Sequence, residues 1–240
     1  LTGPGGRARV LRRDGFVFDG GPTIVTAPFL FEELWALAGG RLADDVALQP
    51  LSPFYRLCFA DGTHMDVHAD AAAMRTEVAR IAPRDLPGYE RFLRLTERIY
   101  RVGFERLGDV PFSHWTDMAR IVPDLLRLRG LRSLYALVAD HVRDERLRFA
   151  LSFHPLFIGG DPFRVTALYG LIPHLERRFG VHWARGGTGQ LVAGLARLVE
   201  RQGGTIRYGA DVREIVVAHG AARGVRLEGG ERIEADVVVS

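Results

Sequence analysis

Apolar positions along this chain follow two periods, one near 3.6 residues and one of two, which divide it into helical and strand-like stretches. Leu191, Val192, Leu195, Leu198 and Val199 share one helical face, on a helix that begins at Gly187 and Thr188 and stops at Gly203-Gly204. Two β-rich runs follow at 205–208 and 212–217, and another occupies 236–239. Near the start, residues 8–10 and 16–18 flank Asp14-Gly15, which predicts a hairpin. Phe29, Phe31, Leu34, Trp35 and Leu37 predict a short helix opened by Thr26 and Pro28. A second hairpin is expected over 55–59 and 64–67, around Asp61-Gly62, and Asp70 caps a helix running to about Ile81.

The middle of the chain is helical in pattern. Residues 87–107 carry Tyr89, Phe92, Leu95, Ile99, Val102 and Phe104, a core face. Farther on, Trp115, Met118, Ala119 and Val122 oppose Asp117, Arg120, Asp124 and Arg127, with Pro123 expected to interrupt that helix or open the next. Leucine and arginine mix over 125–135. Such a stretch is either a helix lying on lipid, arginine stems on the apolar layer and heads at phosphate, or the solvated face of a helical subdomain. The apolar run 149–158 ends at Gly159-Gly160-Asp161-Pro162-Phe163, a turn leading into a helix over 165–177. Strand-rich ends around a helix-rich middle predict one α/β body with a helical insertion.

Three glycines in Arg185-Gly186-Gly187-Thr188-Gly189 let the backbone approach a ligand, and the free N–H groups of the following helix favour an anion, most often a phosphate. Asp19-Gly20-Gly21-Pro22-Thr23 is a second place of close backbone approach. Residues 3–8 formally match G-x-G-x-x-A, but that dinucleotide fingerprint needs a strand before it and an apolar helical face after it, and 9–13 has no such face. His64 and His68 are four apart across a strand end with no carboxylate pattern beside them, so no metal site is expected.

At 240 residues the chain can bury a real core, as one large domain or two small ones. Its 47% hydrophobic and 25% charged residues are those of a soluble globular protein. No run reaches the length of a membrane-crossing helix and no signal peptide is recognisable. A net charge of +3 does not call for nucleic acid, and all 32 basic residues are arginine, a compositional habit. The lone Cys58 excludes an internal disulfide and fits a reducing compartment. The chain opens on Leu1 without a methionine and stops at Ser240 within a β-type run, which reads as an internal piece of a longer protein.

Several blocks, in this order, resemble bacterial-type phytoene desaturase: Gly5-Gly6-Arg7, Phe18-Asp19-Gly20-Gly21-Pro22-Thr23, Pro53-Phe54-Tyr55-Arg56-Leu57 and Pro83-Arg84-Asp85 with Gly88-Tyr89. Phe149-Ala150-Leu151-Ser152-Phe153-His154, Gly159-Gly160-Asp161-Pro162-Phe163 and Arg185-Gly186-Gly187-Thr188-Gly189 continue the series, which covers essentially the whole chain. The resemblance implies an FAD-dependent carotenoid desaturase of the flavin amine oxidase superfamily. It implies part of a Rossmann-like FAD-binding domain at 1–43 and 181–240, a substrate-domain segment with a β-hairpin at 44–98, and a helical, membrane-facing subdomain at 99–180. It places Arg7 near the cofactor's phosphate–ribose portion, with Gly5 and Gly6 in the same turn. Gly20, Gly21, Pro22 and Thr23 come close to the flavin, and the Val212 strand meets the adenine through its backbone. Arg185 either contacts FAD or braces the loop of Gly186 and Gly187. The family's glycine units before Leu1 and after Ser240 are not in this sequence, so the piece alone is expected to hold FAD weakly. Ala184 stands where relatives have proline, and Gly-Asp-Pro where they have Gly-Asn-Pro.

The same resemblance matches Asp117 and Arg120 to an acid–arginine pair acting near flavin and substrate. Their spacing of three puts them on one helix face, which is equally the pattern of a surface ion pair. His154 is expected as a hydrogen-bonded core histidine, while Tyr55, Phe153, Phe157, Phe163 and Tyr169 line a polyene tunnel or form plain core. The implied protein is cytoplasmic and peripherally membrane-associated, with a carotenoid substrate and oxygen or a quinone as electron acceptor. The alternatives are a carotenoid isomerase or another polyene oxidoreductase of the same superfamily, and a flavin-free fragment or lipid-surface binding module. The central expectation is that the turn at Gly6 and the turn at Gly187 share one crevice.

Overall fold

The computed structural model describes residues 3–111 and 113–240. In chain order β1 (Val10–Arg13), β2 (Phe16–Asp19), α1 (Pro28–Leu37), α2 (Leu42–Asp45) and β3 (Leu48–Pro50) come first. Next are β4 (Tyr55–Cys58), β5 (His64–Val67), α3 (Ala71–Ile81), α4 (Leu86–Tyr100) and α5 (Trp115–Arg127). They are followed by α6 (Leu134–Ala139), α7 (Glu145–Ser152), α8 (Leu171–Phe179) and β6 (His182–Ala184). The series ends with α9 (Thr188–Arg201), β7 (Val212–Ala218), β8 (Ala221–Leu227) and β9 (Arg232–Glu234). Two compact units result. One holds the residues up to Ile24, Leu30–Gln49 and Trp183–Ser240; the other holds Val25–Phe29 and Pro50–His182.

In the first unit α9 packs beside Trp35, which is fully buried, and turns Leu191 and Leu198 inward. Gly194 sets that approach: a Cβ there would stand 2.7 Å from Val46 Cγ2 and 3.2 Å from Trp35 Cζ2. β1 and β2 form the expected hairpin, Val10 opposite Asp19, with Asp14 and Gly15 both at positive φ as a tight two-residue turn requires. β7, β8 and β9 form an antiparallel three-stranded sheet. The runs 205–208 and 236–239 are not strands, contrary to their composition. A strand needs a neighbour for its backbone N–H and C=O groups, and neither run has one among the described residues. Val237 and Val239 are left exposed.

The second unit is built on a core of Met74, Val78, Phe92, Ile99, Leu134, Leu137, Val142 and Leu147. β4 pairs with β5, Tyr55 opposite Val67, and Asp70 caps α3 by accepting the Ala73 N–H at 2.7 Å. Gly88, in the first turn of α4, lies under the loop after α6: a Cβ would stand 1.8 Å from the carbonyl oxygen of His141. Alanine has the better helix propensity by about 1 kcal/mol, yet the collision is with backbone, which cannot rotate away. Gly88→Ala is therefore expected to destabilise this unit by about 1–2 kcal/mol net in a denaturant titration.

The helical middle departs from expectation in places with identifiable causes. α4 passes at Arg101–Arg106 into a π-helical turn that contains Gly103, instead of staying α-helical to 107. α5 runs straight through Pro123. The carbonyl this strands, on Ala119, is on an exposed residue, where water satisfies it. The mixed run 125–135 is broken: Arg129 at φ 56° ends α5, and Ser133 caps α6 through the Ala136 N–H. The helix expected over 165–177 begins at Leu171, because Thr166 donates to the carbonyl of Gly130 and accepts from Leu168, holding Ala167–Gly170 as a 3-10 turn. After α7 a 3-10 turn, His154–Ile158, leaves Leu156, Phe157 and Ile158 exposed.

Candidate functional site

In the first unit the two glycine segments do share a crevice. The turn at Gly5 and Gly6, both at positive φ, is closed by the Ala8 N–H donating to the Gly5 carbonyl at 2.7 Å. Gly20 and Gly21 lie against its back. Side chains there would stand 2.7 Å from the carbonyl of Arg9 and 2.2 Å from that of Arg7, so only glycine permits the approach. The Gly20 N–H donates to the Arg9 carbonyl at 2.8 Å. On the other side Gly189, in the first turn of α9, meets β1: a Cβ would stand 2.2 Å from Val10 Cγ2. Between these surfaces opens a cleft of 360 Å³, lined by Gly3, Pro4, Gly6, Ala8, Arg9 and Val10 and by Gly189, Val192 and Ala193.

The first N–H of α9, that of Thr188, is already satisfied. Gly187, at φ 90° and ψ 170°, precedes the helix without a capping side chain of its own. Asp19 supplies the cap from β2, its carboxylate accepting the Thr188 N–H at 3.0 Å, while Thr188 Oγ1 donates to the Pro22 carbonyl. The anion at this helix start is thus the protein's own carboxylate, where the sequence pattern predicts a phosphate. Asp19 locks the segment 19–22 to the start of α9, and the open cleft lies beside Gly6 and Gly189.

The structure brings Gly5, Gly6, Arg7, Gly20, Gly21, Pro22 and Gly187 into one assembly. Of these, Gly6 lines the cleft, Gly20 and Gly21 lie against the backbone of Arg9 and Arg7, and Gly187 lies against Asp19. Arg9, two residues beyond Arg7, is the arginine in the cleft wall. Thr23 is exposed; Arg185 is exposed too, and its N–H donates to the Ala47 carbonyl at 2.9 Å. Gly186 is at positive φ, and Val212 opens β7, an exposed edge strand. No Cβ-sized obstruction stands over Gly3 or Gly6, so a ligand can lie directly on backbone. An arginine at one side and Val10, Val192 and Ala193 as an apolar wall give the cleft one charged and one apolar side. Ala8, Arg9, Val192 and Ala193 are not legible as site residues without the packing of α9 against β1.

The second unit holds two further polar groups. Asp117 and Arg120 face each other on α5 at 3.4 Å, with Arg120 largely exposed and Asp117 also accepting the His114 N–H at 3.2 Å. Deeper, Tyr55 OH donates to Glu176 Oε2 at 2.7 Å, and His154 Nε2 lies 3.2 Å from both. Burial, then the Glu176 charge and hydrogen bond, push the Tyr55 phenol far above its ordinary pKa. His154 is the buried histidine the apolar run predicts; Glu176, on α8 between Leu175 and Arg177, carries no such signal. Tyr55→Phe removes a donor to a buried carboxylate and is expected to destabilise this unit by about 1.5–3 kcal/mol, read from the denaturant midpoint.

Solved structures share this mixed α/β fold. The PF1083 protein from Pyrococcus furiosus matches 97% of this chain and 48% of its own at a TM-score of 0.58 and 17% identity. An oxidoreductase from Methanosarcina mazei gives a TM-score of 0.54 at 19% identity. Residues 2–240 match the family described as flavin containing amine oxidoreductase, and the chain belongs to that family. Among curated relatives, a phytoene desaturase (neurosporene-forming) from Cereibacter sphaeroides is 46% identical over 240 residues, all of this chain and 46% of that protein. A lycopene-forming phytoene desaturase from Pseudescherichia vulneris is 44% identical over 99% of this chain and 48% of its own length. The chain thus spans about half the length of the curated relatives it matches.

Proposed function

We propose that this chain is part of an FAD-dependent carotenoid desaturase that removes hydrogen from a long, phytoene-type polyene at a membrane surface. The observation that carries the reading is the cleft of 360 Å³ shared by the Gly6 turn and the start of α9. In this reading 1–43 and 181–240 belong to the FAD-binding domain, 44–98 with the β4–β5 hairpin to the substrate domain, and 99–180 to the helical subdomain. Gly5, Gly6 and Arg7, with Arg9, hold one end of FAD. Gly20, Gly21, Pro22, Thr23, Arg185, Gly186 and Gly187 shape its surroundings, and Val212 meets the adenine through its backbone. When bound, flavin supplies the acceptance of a hydride from an allylic carbon.

A hydrocarbon offers no polar handle, so the protein's own work is to orient the chain, exclude water and receive the proton lost from the neighbouring carbon. Asp117 has that last role, with Arg120 fixing its carboxylate. Asp117→Asn is expected to lower kcat about 100-fold while shifting stability by no more than about 0.5 kcal/mol. Unchanged turnover would reduce the pair to a surface contact of about 0.2–0.5 kcal/mol. Membrane contact is supported by Trp115, Val122, Leu126 and Leu131, all exposed in a stretch that also carries Arg120, Arg127, Arg129 and Arg132. No helix among the described residues is long and apolar enough to cross a membrane. Oxygen or a quinone takes the electrons.

The test is flavin absorbance of the full-length protein, followed by product analysis with phytoene in lipid vesicles. A yellow protein that raises the number of conjugated double bonds supports the desaturase. A change of double-bond geometry alone supports a carotenoid isomerase, and a colourless vesicle-binding protein supports a lipid-surface module.

A further inference from the structure

The Tyr55–Glu176–His154 cluster is satisfied only in part. Glu176 and His154 are 2% and 3% exposed, and their mutual contacts use Oε2 and Nε2. Also buried, with no hydrogen-bond partner among the described residues, are Glu176 Oε1, His154 Nδ1 and Arg177 Nε. These residues line one cavity of 30 Å³, whose remaining wall is largely apolar, including Met65, Met74 and Pro173.

Size and polarity together select the occupant. The volume exceeds the about 10–15 Å³ that a single water needs as room for its centre and is far below the roughly 300 Å³ or more of a small-molecule pocket. A cation would face the Arg177 guanidinium and an anion the Glu176 carboxylate. A neutral molecule able both to donate and to accept suits all three orphaned atoms, and three hydrogen bonds is the usual complement of a buried water. We propose that this cavity is a site for a single water molecule that joins Tyr55, Glu176, His154 and Arg177 into one buried hydrogen-bond relay. The water donates to Glu176 Oε1 and to His154 Nδ1 and accepts from Arg177 Nε–H. His154 Nδ1 is then bare and its Nε2–H donates to Glu176 Oε2, so the water fixes the tautomer. The relay ties β4, the 3-10 turn after α7 and α8 together, with Phe153 edge-on to Tyr55 and Phe157 edge-on to His154.

Two measurements on the flavin-loaded full-length protein test this. A crystal structure resolving ordered water should show one peak in the cavity with three polar neighbours at about 2.7–3.2 Å. In ¹⁵N-histidine NMR, the signals lost in His154→Gln should place Nδ1 in the range of an unprotonated imidazole nitrogen and Nε2 in the protonated range. A cavity without density, or a proton on Nδ1, overturns the proposal. Should the glutamine variant not fold, the density alone decides.

Discussion

Alanine at position 187 is expected to weaken flavin binding by the full-length protein at least tenfold. Gly187 sits at φ 90° and ψ 170°, a region essentially reserved for glycine, where any other residue carries about 1–3 kcal/mol of strain. The added methyl would also stand 2.7 and 3.1 Å from the two carboxylate oxygens of Asp19. Asp19 must then leave the Thr188 N–H, and α9 loses both its cap and its tie to the segment 19–22. Gly189, Val192 and Ala193, one wall of the cleft, ride on that first stretch of α9. A tenfold loss of affinity corresponds to only about 1.4 kcal/mol, less than the combined strain and lost cap. Gly203→Ala is the control: it too is at positive φ, yet nothing lies within 4 Å of its Cβ position. It should cost some stability and keep the cofactor. An unchanged flavin dissociation constant in Gly187→Ala would remove this cleft from consideration as the cofactor site.

The hairpins, the caps and the buried helix faces were legible because each is decided by local chemistry. Asp14-Gly15 and Asp61-Gly62 turn where turn residues must, and Asp70 caps where an acceptor precedes an apolar period. What could not be read depends on residues far apart in sequence. Gly187 and Thr188 signal an anion, but only the fold shows that Asp19, 169 residues away, provides it. Arg7 and Arg9 are indistinguishable by type, and the packing of α9 on β1 decides which of them borders the cleft. Glu176 looks like an ordinary helical glutamate until Tyr55, 121 residues earlier, is found donating to it. The runs 205–208 and 236–239 have strand composition, but strand formation also requires a partner that composition cannot supply.

The first unit should depend more on one side chain than on any other. Trp35→Ala removes a fully buried ring against which α9 rests and is expected to cost about 3–5 kcal/mol, a large part of the 5–15 kcal/mol typical of a folded domain. Trp35→Phe separates the two things the ring does. It keeps most of the apolar contact but deletes the Nε1–H that donates to Asp45 Oδ2 at 2.7 Å, so it should cost closer to the 1.5–3 kcal/mol of one charged hydrogen bond. That carboxylate also gathers Arg197 and Arg201 from α9, and their hydrogen bonds with that of Trp35, Arg201 foremost, hold its pKa well below the ordinary carboxylate range. The folded pKa lies below the unfolded value of about 3.9. The stabilisation is therefore complete above that value and is lost as the pH falls through the folded pKa. Urea midpoints of the native protein and Asp45→Asn should consequently differ most near neutral pH and converge in strong acid. A difference independent of pH would mean that Asp45 stabilises α9 by shape alone, with its charge contributing nothing.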